Sequence, residues 1–481
     1  MRLKDLLAGI RTLSYTAELS REITGVSDDS QKIQPGNVFV AVTGLQSDGK
    51  HYIEQAVSRG ACCVVCAEVP EIDAPYVLVR CVRRALAIMA RNYYGDPASR
   101  MTLVGITGTN GKTTTSYLIK HILETVFREK VGLIGTVENM VGRRSEDAGR
   151  TTPDALQLQK LLRTMADEGC PHVIMEVSSH ALQMERVYGL RFAVGVFTNL
   201  TQDHLDFHDS MADYCAAKAK LFAQCNAAVY NADDPRYEQV ILLAPQSRIS
   251  YGLRETADLC ARNVSLTAAG TEYTMTYEGE ELDVKVPIPG LFTVYNSLGA
   301  LCACQMLGVP LQQGAQALRQ YAGVKGRMEI VPTPDKDYTV IIDYAHTTDA
   351  LENVLDAVGN FAQGRIIAVF GCGGDRDRGK RAQMGAIAAR KADFIIVTDD
   401  NPRTESPQTI RNDIIAGIPD GSHWREVAGR EKAIYFALDH AKTGDVVVLC
   451  GKGHETYQEI HHEKHHLDER EIVRAYIKNN K

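Results

Sequence analysis

The residues best suited to chemistry open with Gly105-Ile106-Thr107-Gly108-Thr109-Asn110-Gly111-Lys112-Thr113-Thr114-Thr115. Glycines in a turn let backbone N–H groups close on phosphate oxygens. The helix that follows adds partial positive charge, Lys112 a full charge, and Thr113 a hydroxyl for Mg²⁺. The general phosphate-loop pattern asks for Gly five places before Gly111. Ile106 stands there, flanked by Gly105 and Gly108. A second group comprises Glu176, in Glu176-Val177-Ser178-Ser179-His180, and His204, in Asn199-Leu200-Thr201-Gln202-Asp203-His204-Leu205-Asp206-Phe207-His208. Glu176 is an oxygen donor suited to Mg²⁺. By ligand preference alone, His204 reads as a core or loop histidine. A third group is Asp399-Asp400-Asn401-Pro402-Arg403 with Gly451-Lys452-Gly453-His454-Glu455 and the charged run Gly371 to Arg381. Arg403 can grip a carboxylate with two parallel hydrogen bonds. As plain loops these would be solvated charge. At one edge of a parallel sheet they would form a pocket of both signs, fitted to a zwitterion.

The elements that must hold these residues are legible as apolar runs. Leu103–Ile106 enters the glycine turn, and Leu118, Ile119, Ile122, Leu123, Val126 and Phe127 leave it at helical period. Strands are expected at His172–Val177 and Val194–Thr198, then at Tyr338–Ile342, Ile366–Phe370, Phe394–Thr398 and Val446–Cys450. Each runs into a polar loop, where doubly wound sheets bind ligands. Asp213–Phe222 reads as an amphipathic helix on which Lys218 and Lys220 would be a solvated face, and 258–289 alternates as strands do. Before residue 100, runs at Val38–Val42, Cys62–Ala67 and Val77–Val79 alternate with helical patterns, a small α/β unit. There Asp29 and Ser30, ahead of the Pro35-Gly36 turn, read as turn formers.

The chain has 481 residues, enough for about three domains. Its net charge of −7 argues against bulk binding of nucleic acid or anionic membrane. No apolar run is long enough to span a bilayer, and the early acid in Met1-Arg2-Leu3-Lys4-Asp5 argues against a signal peptide. A cytoplasmic monomer is expected. The 12 cysteines lack paired metal-site spacing. Cys63-x-x-Cys66 could be a redox pair, but reduced, buried thiols are the preferred reading.

Thr-Gly-Thr-Asn-Gly-Lys-Thr-Thr resembles the form found in the Mur ligase family and the related folylpolyglutamate synthases. Further motifs extend the resemblance over nearly the whole chain: Asp29-Ser30 with Pro35-Gly36, Glu176-Val177-Ser178-Ser179-His180, Asp203-His204-Leu205-Asp206, Gly326-Arg327-Met328-Glu329, Asp343-Tyr344-Ala345-His346 and Asp400-Asn401-Pro402-Arg403. The resemblance implies three α/β domains: 1–98 binding the UDP-muramyl group, a central parallel-sheet phosphate-loop domain over 99–331, and a Rossmann-like amino-acid-binding domain over 332–481. It implies an ATP- and Mg²⁺-dependent ligase of peptidoglycan precursor synthesis. Its small-molecule substrates would be meso-diaminopimelate and the D-Glu γ-carboxylate of UDP-MurNAc-L-Ala-D-Glu, joined through an acyl phosphate.

By the same resemblance, ATP would meet Gly108, Thr109, Asn110, Gly111, Lys112, Thr113, Thr114, Asn296, Arg327 and Asp343. Asn296 would serve equally as a helix cap. Ser30, Thr151, Thr152, Ser178 and Arg186 would hold the UDP substrate, with Met184 where some relatives have a polar contact. Arg376, Asp400, Asn401, Pro402, Arg403, Gly451 and Glu455 would hold diaminopimelate. Metal ligands would be Thr113, Glu176, His204 and Lys218, the last as a carbamate; with Lys112, the residues Glu176, His204 and Lys218 form the implied catalytic set. Thr293 and Thr348 depart from the family's Asn and Pro, the latter bearing on loop rigidity. Sister ligases using lysine or folylpolyglutamate chemistry are disfavoured by Asp-Asn-Pro-Arg and by the N-terminal Asp-Ser element. A silent nucleotide-binding regulator is disfavoured by intact Lys112, Glu176 and His204.

Overall fold

The computed structural model describes residues 1–44, 48–267 and 269–479. Three α/β sheets follow one another along the chain. The first orders its strands Thr12–Tyr15, Tyr76–Val79, Cys63–Cys66, Asn37–Val40 and Gly25–Ser27, parallel apart from the first. The cysteines of the described chain are all free thiols, and Cys81 is the exposed one.

The central sheet has 11 strands. Its parallel core places Thr102–Thr107 between His172–Glu176 on one side and Phe192–Phe197 on the other. These runs are apolar because helices such as Lys112–Phe127 and Leu291–Met306 pack on the sheet, and both of its faces must exclude water. Ile106 lies fully buried in the central strand, which explains why no glycine is needed there. The alternating stretch forms Leu259–Thr267, Gly270–Tyr277 and Glu280–Val286, extending one edge.

The third sheet runs Glu329–Val331, Thr339–Asp343, Val446–Cys450, Ile366–Phe370, Phe394–Val397 and Trp424–Glu426. All neighbours pair in parallel except the first two. Glu329–Val331 thus pairs into the C-terminal sheet, so that sheet starts before the expected division at 331/332. The helix-cap reading of Asn296 is corrected: it lies inside Leu291–Met306, past the first turn. Thr348 opens the helix Thr348–Gly359, and the Thr347 hydroxyl caps it by accepting from the Ala350 N–H. That cap fastens the loop where a proline would have stiffened it. Among the described residues, no helix is long and apolar enough to cross a membrane.

Candidate active site

Register decides which loops meet. Glu176 pairs with Ile106, and Phe197 with Thr107, so the loops after three neighbouring strands emerge side by side. Gly111, at φ 83°, opens the helix that carries Lys112. A Cβ on Gly108 would collide with the Thr198 hydroxyl, and one on Gly111 with the Asn296 amide. The loop is pinned by Thr198 Oγ1 donating to Asn110 O at 2.6 Å and by Asn199 Oδ1 accepting from Asn110 N at 2.9 Å. Lys112 Nζ donates to Gly108 O and Thr109 O at 2.9 and 2.7 Å, curling over the cradle.

Glu176 is fully buried. Its Oε2 accepts from Thr113 Oγ1 at 3.1 Å and Thr136 Oγ1 at 2.9 Å, and its Oε1 accepts from Thr136 N at 2.9 Å. His204 sits in the left-handed region at φ 55°, beside Asp203 with Nε2 to Oδ2 at 3.3 Å. Burial pushes His204 down to about 3 against the opposing pull of the Asp203 carboxylate, so its imidazole is neutral at pH 7. Thr113, Glu176 and His204 line one cavity of about 190 Å³ together with Lys112, Thr151, Asp203, Arg327, Tyr344 and His346. Among the described residues, no three His, Cys, Asp or Glu side chains stand close enough to hold a metal by themselves. A hydroxyl, a carboxylate and a neutral imidazole beside a phosphate cradle nonetheless fit a Mg²⁺ that shares phosphate oxygens.

Lys218 is buried beneath the phosphate loop. Its Nζ donates to Gly108 O at 2.8 Å, the same carbonyl that Lys112 engages, and lies 4.3 Å from the centre of the Tyr214 ring. Burial, and then the Lys112 charge, depress its basicity far below that of an ordinary lysine. A neutral amine is the form that reacts with CO₂.

A second cavity of about 260 Å³ opens beside the cradle, walled by Asn110, Gly111, Thr114, Asn296, Arg327, Asp343 and apolar side chains such as Phe292 and Val354. Arg327 Nη2 donates to Thr113 Oγ1 at 3.3 Å. It is anchored because Gly326 N–H donates to Glu329, itself gripped by Arg470. Asp343 accepts from Met328 N–H at 2.7 Å, and burial raises its carboxyl. An apolar slot ending at a phosphate loop suits a nucleotide.

A third cavity, about 810 Å³, lies between the central and C-terminal sheets. Arg376, Asp400, Asn401, Arg403, Gly451 and Glu455 all line it, whereas Pro402 does not. Arg403 adopts φ 51° and spends Nε on Glu459 Oε2 and Nη1 on Gly374 O, at 3.0 and 2.8 Å. Asp400 Oδ2 is buried without a hydrogen-bond partner. Thr136, Thr151, Asp203, His204, Tyr344 and His346 belong to both this cavity and the phosphate cavity, so the two communicate.

Ser30 and Arg186 line a fourth cavity, about 490 Å³, at the seam of the first two domains, together with Arg83, Arg150 and Met184. Arg150 also borders the large cavity. Thr152 and Ser178 do not face these spaces. The Thr152 hydroxyl donates to Glu176 O at 2.8 Å and accepts from Ser178 N–H at 3.1 Å, while Ser178 Oγ caps the helix Ser179–Gln183. Thr151 is the threonine on the cavity wall. Sequence reasoning missed Arg83, Arg150, Asp203 and Lys380 as wall residues. Arg150 directly precedes Thr151, and Asp203 stands inside the quoted Asp203-His204-Leu205-Asp206. Lys380 lay in the charged run Gly371 to Arg381, whereas Arg83 carried no local signal.

A phosphate-loop domain flanked by an apolar slot and a large charged cavity fits an ATP-dependent ligase architecture, and the chain belongs to the Mur ligase family. Three of that family's domains match in order: "Mur ligase family, catalytic domain" over 22–94, "Mur ligase middle domain" over 106–304 and "Mur ligase, glutamate ligase domain" over 326–453. The chain is 43% identical to the UDP-N-acetylmuramoyl-L-alanyl-D-glutamate–2,6-diaminopimelate ligase 1 of Clostridium acetobutylicum, over 99% of each chain. It is 42% identical to the corresponding ligase of Clostridioides difficile, over 98% of this chain and 99% of that protein. A solved structure of a ligase of that name superposes with a TM-score of 0.72 at 33% identity, covering 100% of this chain and 99% of the other. A folylpolyglutamate synthase from Mycobacterium tuberculosis shares the fold at a TM-score of 0.63 and 15% identity, over 82% of this chain and 94% of that one.

Proposed function

We propose that the protein joins diaminopimelate to the D-Glu γ-carboxylate of UDP-MurNAc-L-Ala-D-Glu at the expense of ATP. A carboxylate is a poor electrophile and must be activated. One carboxylate oxygen attacks the γ-phosphorus, the bond to the ADP oxygen breaks, and an acyl phosphate forms. The amine of diaminopimelate then attacks the acyl carbon, the C–O bond to phosphate breaks, and the amine's proton passes to solvent. Lys112 and the backbone N–H groups of the cradle stabilise charge on the transferred phosphoryl group. Thr113, Glu176 and His204 would hold Mg²⁺, which supplies charge neutralisation there when bound. Ser30, Arg83, Arg150 and Arg186 hold the UDP end, and Asp343 and Asn296 the nucleoside of ATP.

The observation that carries the substrate choice is Arg403 in the same cavity as the acids Glu455 and Asp400, where Asp400 Oδ2 is also buried without a partner. A buried acceptor without a donor is costly, and a substrate ammonium would satisfy it. Diaminopimelate has a second amino-acid head, an ammonium for Asp400 and Glu455 and a carboxylate for Arg403. Lysine lacks that head's carboxylate. A site built around a polar group rejects analogues lacking it by ~10⁴–10⁵. An amino-acid panel with ATP and the UDP-dipeptide tests this through phosphate release and product mass. Diaminopimelate should be used and lysine almost ignored; comparable turnover of both would refute the reading.

A further inference from the structure

We propose that Lys452 is a positioning residue for amino-acid binding, its buried ammonium locking Glu455 and Asn401 so that one Glu455 oxygen is left to meet the substrate's second ammonium. The inference rests on the reading that the large cavity takes a diamino dicarboxylic acid.

Lys452 is wholly buried. Its Nζ donates to Asn401 Oδ1 at 2.8 Å and to Glu455 Oε2 at 2.6 Å, and lies 5.2 Å from the centre of the Tyr457 ring. Asn401 Nδ2 donates to the same Glu455 oxygen at 2.9 Å, closing a triangle. Asn401 Oδ1 also accepts from Glu459 N–H at 2.9 Å, and Glu459 holds Arg403. Glu455 Oε2 is therefore saturated by protein donors. Oε1 makes no hydrogen bond to the described residues, although Glu455 lines the cavity. Asn401 acts as a strut between two loops that come from different strands, and Lys452 is the charge joining them. A buried charge is tolerated only when paired and hydrogen-bonded, and the same pairing restricts a carboxylate to one orientation.

The test is a double-mutant cycle with Lys452→Met and Glu455→Gln in the full-length enzyme. Lys452→Met should raise the KM for diaminopimelate about tenfold or more, keep kcat within about threefold, and leave the KM values for ATP and UDP-dipeptide in place. In the Glu455→Gln background the same change should add less than about twofold, because the two residues act as one unit. Lys452→Gln, which keeps a donor without the charge, is measured alongside by the same criteria. Additive effects, equal losses toward all three substrates, or an unchanged KM would overturn the proposal. So would the loss of a cooperative melting transition in both Lys452 variants, which would make the residue purely structural. A wild-type enzyme inactive with diaminopimelate would instead sink the functional reading.

Discussion

Asn110 of the phosphate loop donates through its side-chain amide to Asp349 Oδ2 of the C-terminal domain at 2.6 Å. The bond joins the loop that cradles phosphate to the first turn of the helix Thr348–Gly359, and both residues wall the nucleotide slot. The C-terminal domain is thereby fastened to the element that meets ATP. Asp349→Ala leaves the amide unpaired at a cost of about 1–1.5 kcal/mol, so the KM for ATP should rise about five- to tenfold. Small-angle scattering should show a more open molecule. An unchanged KM and radius of gyration would mean that the contact does not hold the domains.

Lys112→Met removes the lysine charge that curls over the cradle. A loss of about 10²–10³ in kcat is expected, with UDP-substrate affinity preserved because Ser30 and Arg186 line a separate cavity. Trapping the acyl phosphate with borohydride, alongside titration of the UDP-dipeptide, distinguishes the two effects.

Lys218 should take up CO₂, because burial beneath the loop, and then the Lys112 charge, depress its basicity and favour the neutral amine. Protein equilibrated with ¹³C-bicarbonate should show one carbamate carbon signal. That signal should vanish in Lys218→Arg and on acidification, which protonates the amine and drives off CO₂.

The pair of adjacent threonines should separate function from scaffold. Thr152→Val strips a buried hydroxyl from Glu176 O and Ser178 N, costing about 1–3 kcal/mol of stability. Thr151→Val, on the cavity wall, should lower turnover more than melting temperature. Denaturant titration and steady-state kinetics on both variants read this out.

Glu405 braces the loop that bears Arg376: its carboxylate accepts from the buried Arg381 and from Asp375 N–H. Arg381 holds its carboxyl down at about 2, against an ordinary value near 4.5. A depressed carboxyl stabilises the fold fully above its unfolded value and loses that contribution as pH falls through the folded one. Glu405→Gln should therefore be less stable than wild type at pH 7, with the difference fading between about pH 4.5 and 2. A gap independent of pH over that window would refute the assignment.

Much of this was legible in one dimension. The glycine turn after Leu103–Ile106, Glu176 at a strand end, His204 in a quoted loop motif, and Asp400 to Arg403 are local patterns, since backbone chemistry and side-chain type act within a few residues. Many of the strands that bear these loops, though not their order in the sheets, followed from apolar runs bounded by polar loops. Three-dimensional packing alone decided the rest. Thr151 and Thr152 are neighbours of one type, yet one lines the cavity and the other turns inward to Glu176 O. Asn110 meets Asp349, and Lys452 meets Asn401, across 239 and 51 residues of chain. Sequence supplies the functional groups and their local geometry. Which of them touch depends on sheet register and domain seating, set by burial summed over the whole core rather than by any single motif.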